Sequence, residues 1–360
     1  MLTIDVRMIK QSGIGTYIVN LLPHVIETIS FMPITLLGRN EELSQFPWIR
    51  RSNINVIEFD EPIYSIQEQV GMSRKIPKQT KLFWSPHYNI PLLYSGKLLV
   101  TVHDVFHLAM KEYVGGIHKR MYAKLMFNAL SRKASHIICV SDFTKNQFIQ
   151  YTGSTKSPIT TIHNGVNSSW FRPADFREQS ETPYLLYVGN VKPHKNLGNL
   201  LTAFSKVMHL IPHNLVIVGR REGFITGDQA IVNQSEALGD RIQFTGYISD
   251  EELKKYFSHA SAFVFPSVYE GFGLPPLEAM ACGCPVLVSN RASLPEVCGD
   301  AAQYFDPIDP KDIAEKIMMV VNDRSLRDKL VQAGLEQSQK FNWDISRDRT
   351  MEKIRSLLIQ

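Results

Sequence analysis

The sequence predicts an α/β protein with two domains, each built on a doubly wound parallel sheet. Two observations support this prediction. Short and almost wholly apolar runs alternate with helix-length segments along the chain, and such runs are typical of parallel strands covered on both faces. A chain of 360 residues with 44% hydrophobic residues is also long enough to bury two sizeable cores.

Thirteen runs are predicted to be strands. Seven lie in the first half and begin at residues 2, 34, 54, 82, 97, 136 and 159, and six lie in the second half and begin at 184, 214, 242, 262, 285 and 302. A polar stretch from Phe171 to Pro183 separates the two sets, so we predict a first domain over residues 1–172 and a second over 173–342. The tail, residues 343–360, has apolar residues near helical spacing and should form a helix. Periodicity does not decide whether this helix packs back on the first domain.

Composition excludes several classes of protein. No run of eighteen apolar residues occurs and the N-terminus lacks a basic-then-apolar pattern, so we expect a cytoplasmic protein with neither a membrane-spanning helix nor secretion. The four cysteines lack paired metal spacing and are expected to be reduced structural thiols. No nucleic-acid-binding module accompanies the basic residues, so a nucleic-acid partner is not expected.

Charge is spread unevenly along the chain. Residues 1–172 contain 19 Lys and Arg against 11 Asp and Glu, whereas the remainder contains 20 against 24. The densest basic cluster lies between His118 and Lys133, on a helix-like stretch interleaved with apolar residues. Such a surface suits peripheral contact with the anionic inner face of a membrane or with a lipid-linked phosphate. A half-buried helix with a solvated basic side explains the pattern equally well.

Candidate site residues follow the predicted strands, because ligands of open parallel sheets bind beyond the carboxyl ends of the strands. Glu270 and Glu278 bracket a loop with two glycines and two prolines, between the strand from Ala262 and a helix predicted from Leu277. Glycine amides and the positive end of a helix both favour an anion at such a loop. We place Glu270 at the strand tip and Glu278 in the first turn of the helix. Solvated carboxylates on an ordinary strand-loop-helix unit are the alternative.

Two further candidates lie in the first half of the chain. Gly13 and Gly15 form a turn between the first strand and a helix predicted from Tyr17, but Ile18 stands where a dinucleotide-binding fingerprint has its third glycine. His103 follows the apolar strand from Lys97, either as an ordinary strand-end residue or as a ligand contact.

Lys195 is the corresponding candidate in the second half. It follows the first strand of that domain closely, five residues after Asn190, and a lysine at this place can neutralise a pyrophosphate. Surface solvation is the alternative. We expect Lys195, the loop from Glu270 and the candidates of the first domain to face one cleft between the two domains, and this coincidence favours a shared ligand.

The chain resembles the retaining glycosyltransferases of family four, enzymes with the two-Rossmann GT-B fold, over nearly its whole length. The most specific motif is EGFGLPPLE from Glu270 to Glu278, with seven residues between the two glutamates, followed by AMACGCPVLVSN. The supporting motifs are SGIGTY, VTVHD, CVSDFTK, HNGVN, YVGNVKPHKNL and FTGYISDEEL.

This resemblance implies a role for each matched residue. As catalytic residues, Glu270 and His103 would lie against the transferred sugar, and Lys195 would bind the diphosphate. Glu278 would bind the nucleotide ribose. The remaining donor contacts would come from the chain at Gly13, Gly15, Asn190, Ile248, Gly271, Phe272, Gly273 and Leu274.

Asn190 departs from the family pattern. Many members have an arginine there, five residues before the lysine, so Lys192 or His194 could share the diphosphate with Lys195.

The resemblance also implies an activity. The motifs PHKNL, HDVFH and IGTYI look most like those of bacterial mannosyltransferases that use GDP-mannose in surface-polysaccharide synthesis. A retaining hexosyltransferase is therefore expected, with a nucleotide-sugar donor and a glycan or lipid-linked saccharide acceptor, in O-antigen or lipopolysaccharide synthesis. No Asp-x-Asp triplet occurs, so neither a metal nor another cofactor is expected. A UDP- or ADP-sugar donor stays open.

Other functional classes remain as alternatives. A non-catalytic nucleotide-sugar-binding protein would use the same loop, and a nucleotide-sugar epimerase could have the same two-domain architecture. A nicotinamide-dependent oxidoreductase is disfavoured because the third glycine is missing and no acidic residue ends the second strand.

Overall fold

The computed structural model describes residues 1–153, 155–171, 182–219 and 229–359. Residues 172–181, which make up most of the polar stretch that is predicted to separate the domains, therefore lie outside the described residues. All thirteen predicted strands are present among the described residues. In chain order they are β1 Leu2–Asp5, β2 Ile34–Gly38, β3 Ile54–Glu58, β4 Leu82–Ser85, β5 Lys97–Val102, β6 His136–Cys139, β7 Ile159–Thr161, β8 Tyr184–Val188, β9 Asn214–Val218, β10 Ile242–Gly246, β11 Ala262–Phe265, β12 Val286–Ser289 and β13 Gln303–Phe305.

The strands form two sheets with parallel pairing throughout. The first has the order β3-β2-β1-β4-β5-β6-β7, and the second has the order β10-β9-β8-β11-β12-β13. In each sheet the first three strands are added in one direction from the central strand, and the remaining strands are added on its other side. This order is the doubly wound topology. The predicted fold class is thus confirmed.

The strands alternate with helices that cover the sheets. In chain order the helices are α1 Ser12–Thr28, α2 Asn40–Leu43, α3 Ile66–Lys75, α4 Phe106–Ala109, α5 Ile117–Lys133, α6 Asp142–Thr152, α7 Leu197–Val207, α8 Gln229–Ala237, α9 Asp250–His259, α10 Leu274–Ala281, α11 Leu294–Cys298, α12 Pro310–Asn322, α13 Arg324–Gln339 and α14 Trp343–Ile359. Local sequence fixes several of their ends. The Ser141 hydroxyl accepts the Thr144 amide at the start of α6, and Gly283, at a left-handed φ of 70°, follows the end of α10.

The chain divides into two compact units. The first contains residues 1–165 and 343–360, and the second contains residues 166–342. The division lies after Gly165, whereas the predicted boundary lies after residue 172. Val166 belongs to the second unit because its amide donates to the Phe341 carbonyl at 3.0 Å.

The C-terminal helix α14 belongs to the first unit. Arg347 donates through Nε to the Asn20 carbonyl of α1 at 2.8 Å, and Lys97 donates to the Leu357 carbonyl at 2.9 Å. The Trp343 ring also meets the buried Tyr17 ring edge-on, with 6.3 Å between centroids. The predicted tail helix is therefore present, and it packs against α1 and the first sheet.

Each unit has its own apolar core. In the second, Leu200 and Phe204 of α7 form one buried cluster with Ile317 of α12 and with strand residues such as Leu185 and Ile217. In the first, residues of α5 pack with those of β5 in a separate cluster. All four cysteines are buried, and none of them forms a disulfide. No helix among the described residues has the length and apolarity needed to cross a bilayer.

Candidate functional site

The switch point of the second sheet lies between β8 and β11, which are neighbours although the chain winds away from them in opposite directions. Lys195 follows β8 in the 3₁₀ turn Pro193–Lys195, and Glu270 follows β11. Lys195 Nζ lies 2.6 Å from Glu270 Oε1, and the two side chains are 21% and 14% exposed. An ion pair that water can still reach therefore spans the place where ligands of such sheets bind.

The position of Lys195 is set by the residues on either side of it. Asn196 has a left-handed φ of 60°, and its side-chain amide donates to the carbonyls of Pro266 at 3.0 Å and Pro307 at 2.6 Å. The neighbouring His194 carbonyl accepts the Val268 amide at 2.8 Å. Burial, together with the adjacent lysines, lowers the pKa of His194 to about 3, so Lys195 carries the positive charge of this turn at neutral pH.

Hydrogen bonds from Ser293 hold the loop that carries Glu270 in place. This buried serine donates through Oγ to the carbonyls of Glu270 at 2.9 Å and Phe272 at 2.7 Å. The Phe272 ring is itself buried and meets the Phe341 ring edge-on at 5.7 Å. Anchors of this kind orient the loop without contacting a ligand. Ser293 and Asn196 were missed because nothing in their local sequence marks a serine or an asparagine as a support.

Helix α10 begins three residues before its predicted start. Gly273 precedes it at a left-handed φ of 109°, where a Cβ would also lie 2.8 Å from the Leu294 side chain. The helix starts at Leu274, and its next two residues are prolines that have no N–H. Within this first turn, the Leu274 amide is therefore the donor available to an anion.

Glu278 consequently lies at the fifth helical position, and its predicted place in the first turn is wrong. The macrodipole of α10 favours a carboxylate less there than in the first turn. The side chain is half-buried, and burial, followed by the charge of Asp250, raises the pKa of Glu278 to about 8. A carboxyl with this pKa is largely protonated at pH 7 and can both donate and accept hydrogen bonds.

Asn190 and Ile248 lie on two separate connections of the second unit. Asn190 is exposed after β8, and its carbonyl accepts the Lys192 amide at 2.9 Å. Ile248 is half-buried between β10 and α9, next to Ser249, which forms a capping box with Glu252. Asn190 adds no charge to the site, so Lys195 is not supported by a second cation at that position.

Gly13 and Gly15 lie inside α1, because this helix begins at Ser12 rather than at Tyr17. The Gly15 amide donates to the Gln11 carbonyl at 2.5 Å, in the first intrahelical bond. The resemblance implies that the Gly15 amide binds a diphosphate, whereas in the structure this amide already donates a hydrogen bond within α1. The first-turn amides that have no intrahelical partner are those of Ser12, Gly13 and Ile14.

Gly15 has a structural role instead. A Cβ at this position would clash with the Ile9 carbonyl oxygen, so the residue must be glycine for α1 to approach the preceding loop.

His103 follows β5 and is held as a neutral imidazole. Its Nε2 donates to the Pro86 carbonyl at 2.8 Å, which leaves Nδ1 as the acceptor. Burial lowers the pKa of His103 to about 4, although the Pro86 carbonyl and Asp104 oppose this shift. The ring also meets Tyr17 edge-on at 4.9 Å. His103 can therefore orient a hydroxyl at neutral pH but cannot supply a positive charge.

The structure thus brings Lys195 and Glu270 together, with the loop to Leu274 and Glu278 following in the same unit. Gly13, Gly15 and His103 belong to the other unit.

Comparison with known proteins identifies the family. The family described as Glycosyl transferases group 1 matches residues 168–337, and Glycosyltransferase Family 4 matches residues 79–170. The chain is 31% identical over 293 residues to O-antigen chain mannosyltransferase B of Escherichia coli, which covers 77% of this chain and 74% of that protein. It is 32% identical over 231 residues to the O-antigen chain mannosyltransferase RfbU of Salmonella typhimurium, covering 64% of this chain and 62% of that protein.

Solved structures share the fold at lower identity. Sucrose-phosphate synthase from Thermosynechococcus elongatus matches with a TM-score of 0.79 and 22% identity over 99% of both chains. HepE from Anabaena, solved in complex with UDP-glucose, matches with a TM-score of 0.78 and 17% identity over 99% of both chains. The two parallel sheets and these structural similarities show the GT-B fold. The family matches and the relative from Escherichia coli show that the chain belongs to the glycosyl transferases group 1 and is a family-four glycosyltransferase.

Proposed function

We propose that the chain transfers mannose from GDP-mannose, with retention of configuration and without a metal, to a glycan or lipid-linked saccharide in the synthesis of O-antigen or a related surface polysaccharide. The observation that carries this proposal is the Lys195–Glu270 pair at the switch point. The choice of mannose is supported by the mannosyltransferases that the chain resembles.

The pair provides both charges that the reaction needs. A diphosphate is a better partner for Lys195 than one carboxylate, because it carries more negative charge at short range. When the diphosphate binds Lys195, Glu270 is released and can accept hydrogen bonds from the hydroxyls of the transferred sugar. The Leu274 amide and the positive end of α10 add to the stabilisation of the leaving group.

The bonds and the proton that change place in the transfer all belong to the donor and the acceptor. The acceptor hydroxyl oxygen forms a bond to C1 of the sugar as the bond from C1 to the phosphate oxygen breaks, and the acceptor proton passes to the departing phosphate. We propose that attack occurs on the face from which the phosphate leaves, so that the configuration at C1 is retained. Preorganised charges that stabilise the departing phosphate contribute several kcal/mol in comparable sites, on the order of 3–4 kcal/mol per strong donor.

A thermal-shift comparison tests the donor. GDP-mannose at 100 times its dissociation constant is expected to stabilise the folded protein by about 2.7 kcal/mol, with smaller shifts for UDP-glucose and ADP-glucose. A larger shift with UDP-glucose would replace GDP-mannose by the donor that HepE binds.

NMR of the product's anomeric proton then tests retention, and an unchanged rate in EDTA tests independence of metal. Donor binding without transfer or donor hydrolysis would indicate a non-catalytic binding protein, and a donor converted into an isomeric nucleotide-sugar would indicate an epimerase.

We also propose that α5 touches the inner membrane face. Three apolar side chains follow one another at a spacing of four residues along this helix: Ile117, Met121 and Leu125, exposed by 67%, 66% and 55%. Exposed basic residues lie beside this stripe, at Lys124, and beyond its C-terminal end, at Arg132. An apolar stripe with a basic border fits an anionic bilayer surface. Sedimentation with vesicles containing phosphatidylglycerol should fall for Met121→Glu and be unchanged for Met319→Glu, an exposed methionine of the second unit.

A further inference from the structure

The switch point of the first sheet carries a second set of charged and polar residues. It lies between β1 and β4, which are neighbours in the order β3-β2-β1-β4-β5-β6-β7. Arg7 follows β1, and His87, Tyr88 and Asn89 follow β4, so these side chains collect at the carboxyl edge of the sheet, where ligands bind.

Arg7 is the centre of a buried ion triad. Its guanidinium donates to the Asp5 carboxylate at 2.9 and 2.7 Å and to Glu68 Oε1 at 2.7 Å. The Arg7, Asp5 and Glu68 side chains are 4%, 0% and 0% exposed, and the guanidinium lies 4.5 Å from the centroid of the Phe59 ring. Three charges removed from water cost several kcal/mol each unless they are well paired, so the triad needs a reason beyond stability.

The triad holds Tyr64 in an unfavourable backbone conformation. The second oxygen of Glu68, Oε2, accepts the Tyr64 amide at 2.8 Å. Tyr64 has a left-handed φ of 70°, a conformation that is uncommon for bulky residues. The next residue, Ser65, caps α3 by accepting the Glu68 amide at 3.0 Å. Backbone strain that is held by a buried network is typical of functional positions.

The conformation places the Tyr64 ring at the surface of an aromatic cluster. The ring is stacked on Tyr88 with 5.8 Å between centroids and 16° between planes, and Tyr88 is stacked in turn on the buried Phe127 at 4.5 Å. Tyr64 is 43% exposed, so part of it is open to solvent while the rings beneath it are fixed. A rigid aromatic surface with this exposure can receive a ligand without the cost of ordering a loop.

Polar groups surround the same cluster. The Tyr88 hydroxyl lies 3.3 Å from His107 Nδ1, and the Tyr122 hydroxyl donates to Asn89 Oδ1 at 2.5 Å. The Tyr122 ring meets Tyr64 edge-on at 5.7 Å. An apolar platform with a few fixed polar groups is the usual composition of a small-molecule site.

We propose that Tyr64 is the stacking platform for the saccharide acceptor of this glycosyltransferase, held in place by the Asp5–Arg7–Glu68 triad. One face of a pyranose ring presents C–H groups, which carry partial positive charge and are attracted to the negative face of an aromatic ring. The hydroxyls at the rim of the sugar would meet the polar groups around Tyr122 and His107. This inference rests on the proposed transfer reaction for its biological role, but the binding site it describes can be tested alone.

Direct titration with mannobiose, without donor, tests the platform in the full chain. Tyr64→Ala is expected to weaken mannobiose binding about 10- to 100-fold, and Tyr64→Phe, which keeps the ring, by less than about threefold. Tyr151→Ala is the matched control, because Tyr151 is a tyrosine of α6 with comparable exposure, 37%, and should bind as the wild type. The thermal shift with GDP-mannose should be the same in all four proteins. Failure of that shift in the wild type would reject the proposed donor and leave the mannobiose result intact.

A glycine substitution separates functional strain from ordinary packing. Because glycine adopts a positive φ without strain, Tyr64→Gly should raise the melting temperature, or lower it less than Tyr64→Ala does, while losing mannobiose binding to the same extent as Tyr64→Ala. Unchanged mannobiose binding in Tyr64→Ala would overturn the proposal. So would a loss confined to an alkyl mannoside, since that result would assign the ring to a lipid chain instead of a sugar.

Discussion

The two sheets carry ion clusters at equivalent positions, and the clusters differ in their access to water. At the switch point of the second sheet, Lys195 and Glu270 form one pair that remains partly exposed. At the switch point of the first, Arg7 is buried between Asp5 and Glu68. The same topology therefore presents the ion pair of the second sheet to solvent and encloses the ion triad of the first.

Exposure decides what each cluster can do. A partly exposed pair can exchange one partner for a charged ligand, because water stabilises the group that is released. A buried triad cannot, because removal of one charge leaves the others without compensation. We infer that the second switch point binds the ligand charge directly, whereas the first supports the side chain that makes contact. Substitutions of Arg7, Lys195 and the two glutamates of the second unit, Glu270 and Glu278, test this distinction.

Replacing Arg7 should have the largest effect, and the effect should be on stability. Arg7→Met removes the guanidinium that pairs with both the Asp5 and the Glu68 carboxylate and leaves them buried, which is expected to cost about 3–5 kcal/mol of unfolding free energy. Urea denaturation measures this cost. Arg39→Met is the matched control, because Arg39 pairs with Glu42 at an exposed surface and should lose about 1 kcal/mol or less. Equal losses for the two variants would show that the buried triad does not support the first unit.

Replacing Lys195 should affect turnover instead. Lys195→Met is expected to lower kcat about 100- to 1,000-fold, which corresponds to about 2.7–4 kcal/mol of transition-state stabilisation. The melting temperature should change little, because the pair is reached by water. Lys254→Met provides the control: Lys254 pairs with Glu251 at 2.8 Å in the same unit, away from the switch point, and its loss should leave kcat unchanged. A large fall in melting temperature for Lys195→Met would mean that this pair is structural, like the triad.

For physical reasons, the sequence predicted the fold and pointed to two residues of the candidate site that the structure brings together. Buried parallel strands have nearly continuous apolar runs, so all thirteen described strands could be located, and strand ends then pointed to Lys195 and Glu270. The supports could not be found in this way. Ser293 lies 23 residues from Glu270, and Glu68 lies 61 residues from Arg7, so only folding brings each pair together.

The starts of two helices were predicted too late for a different reason. The sequence places Gly13 and Gly15 in a turn before a helix from Tyr17, and Pro275 and Pro276 at the entrance of a helix from Leu277. In the structure these glycines lie in the first turn of α1 and these prolines in the first turn of α10. Proline fits this turn because its fixed φ is helical and the N–H it lacks would have no helical partner there. The consequence for the site is that the Gly15 amide is used within α1 and that Glu278 lies deeper in α10 than expected.

The smallest effect is expected at Glu278, which is half-buried and which, unlike both ion clusters, has no countercharge among the described residues. Its pKa is raised from its ordinary value to about 8, so the folded state holds a proton that the unfolded state loses above about pH 4.5. Stability should therefore fall as pH rises from about 4.5 to 8, and Glu278→Gln, which cannot ionise, should remove that decline. Thermal melts at pH 5 and pH 8 measure the difference. The family resemblance implies that Glu278 binds the nucleotide ribose, so we expect the same variant to weaken donor binding about tenfold, or about 1.4 kcal/mol. Glu270→Gln should instead lower kcat with little change in donor affinity, and an equal loss of affinity in both variants would contradict separate roles for the two glutamates.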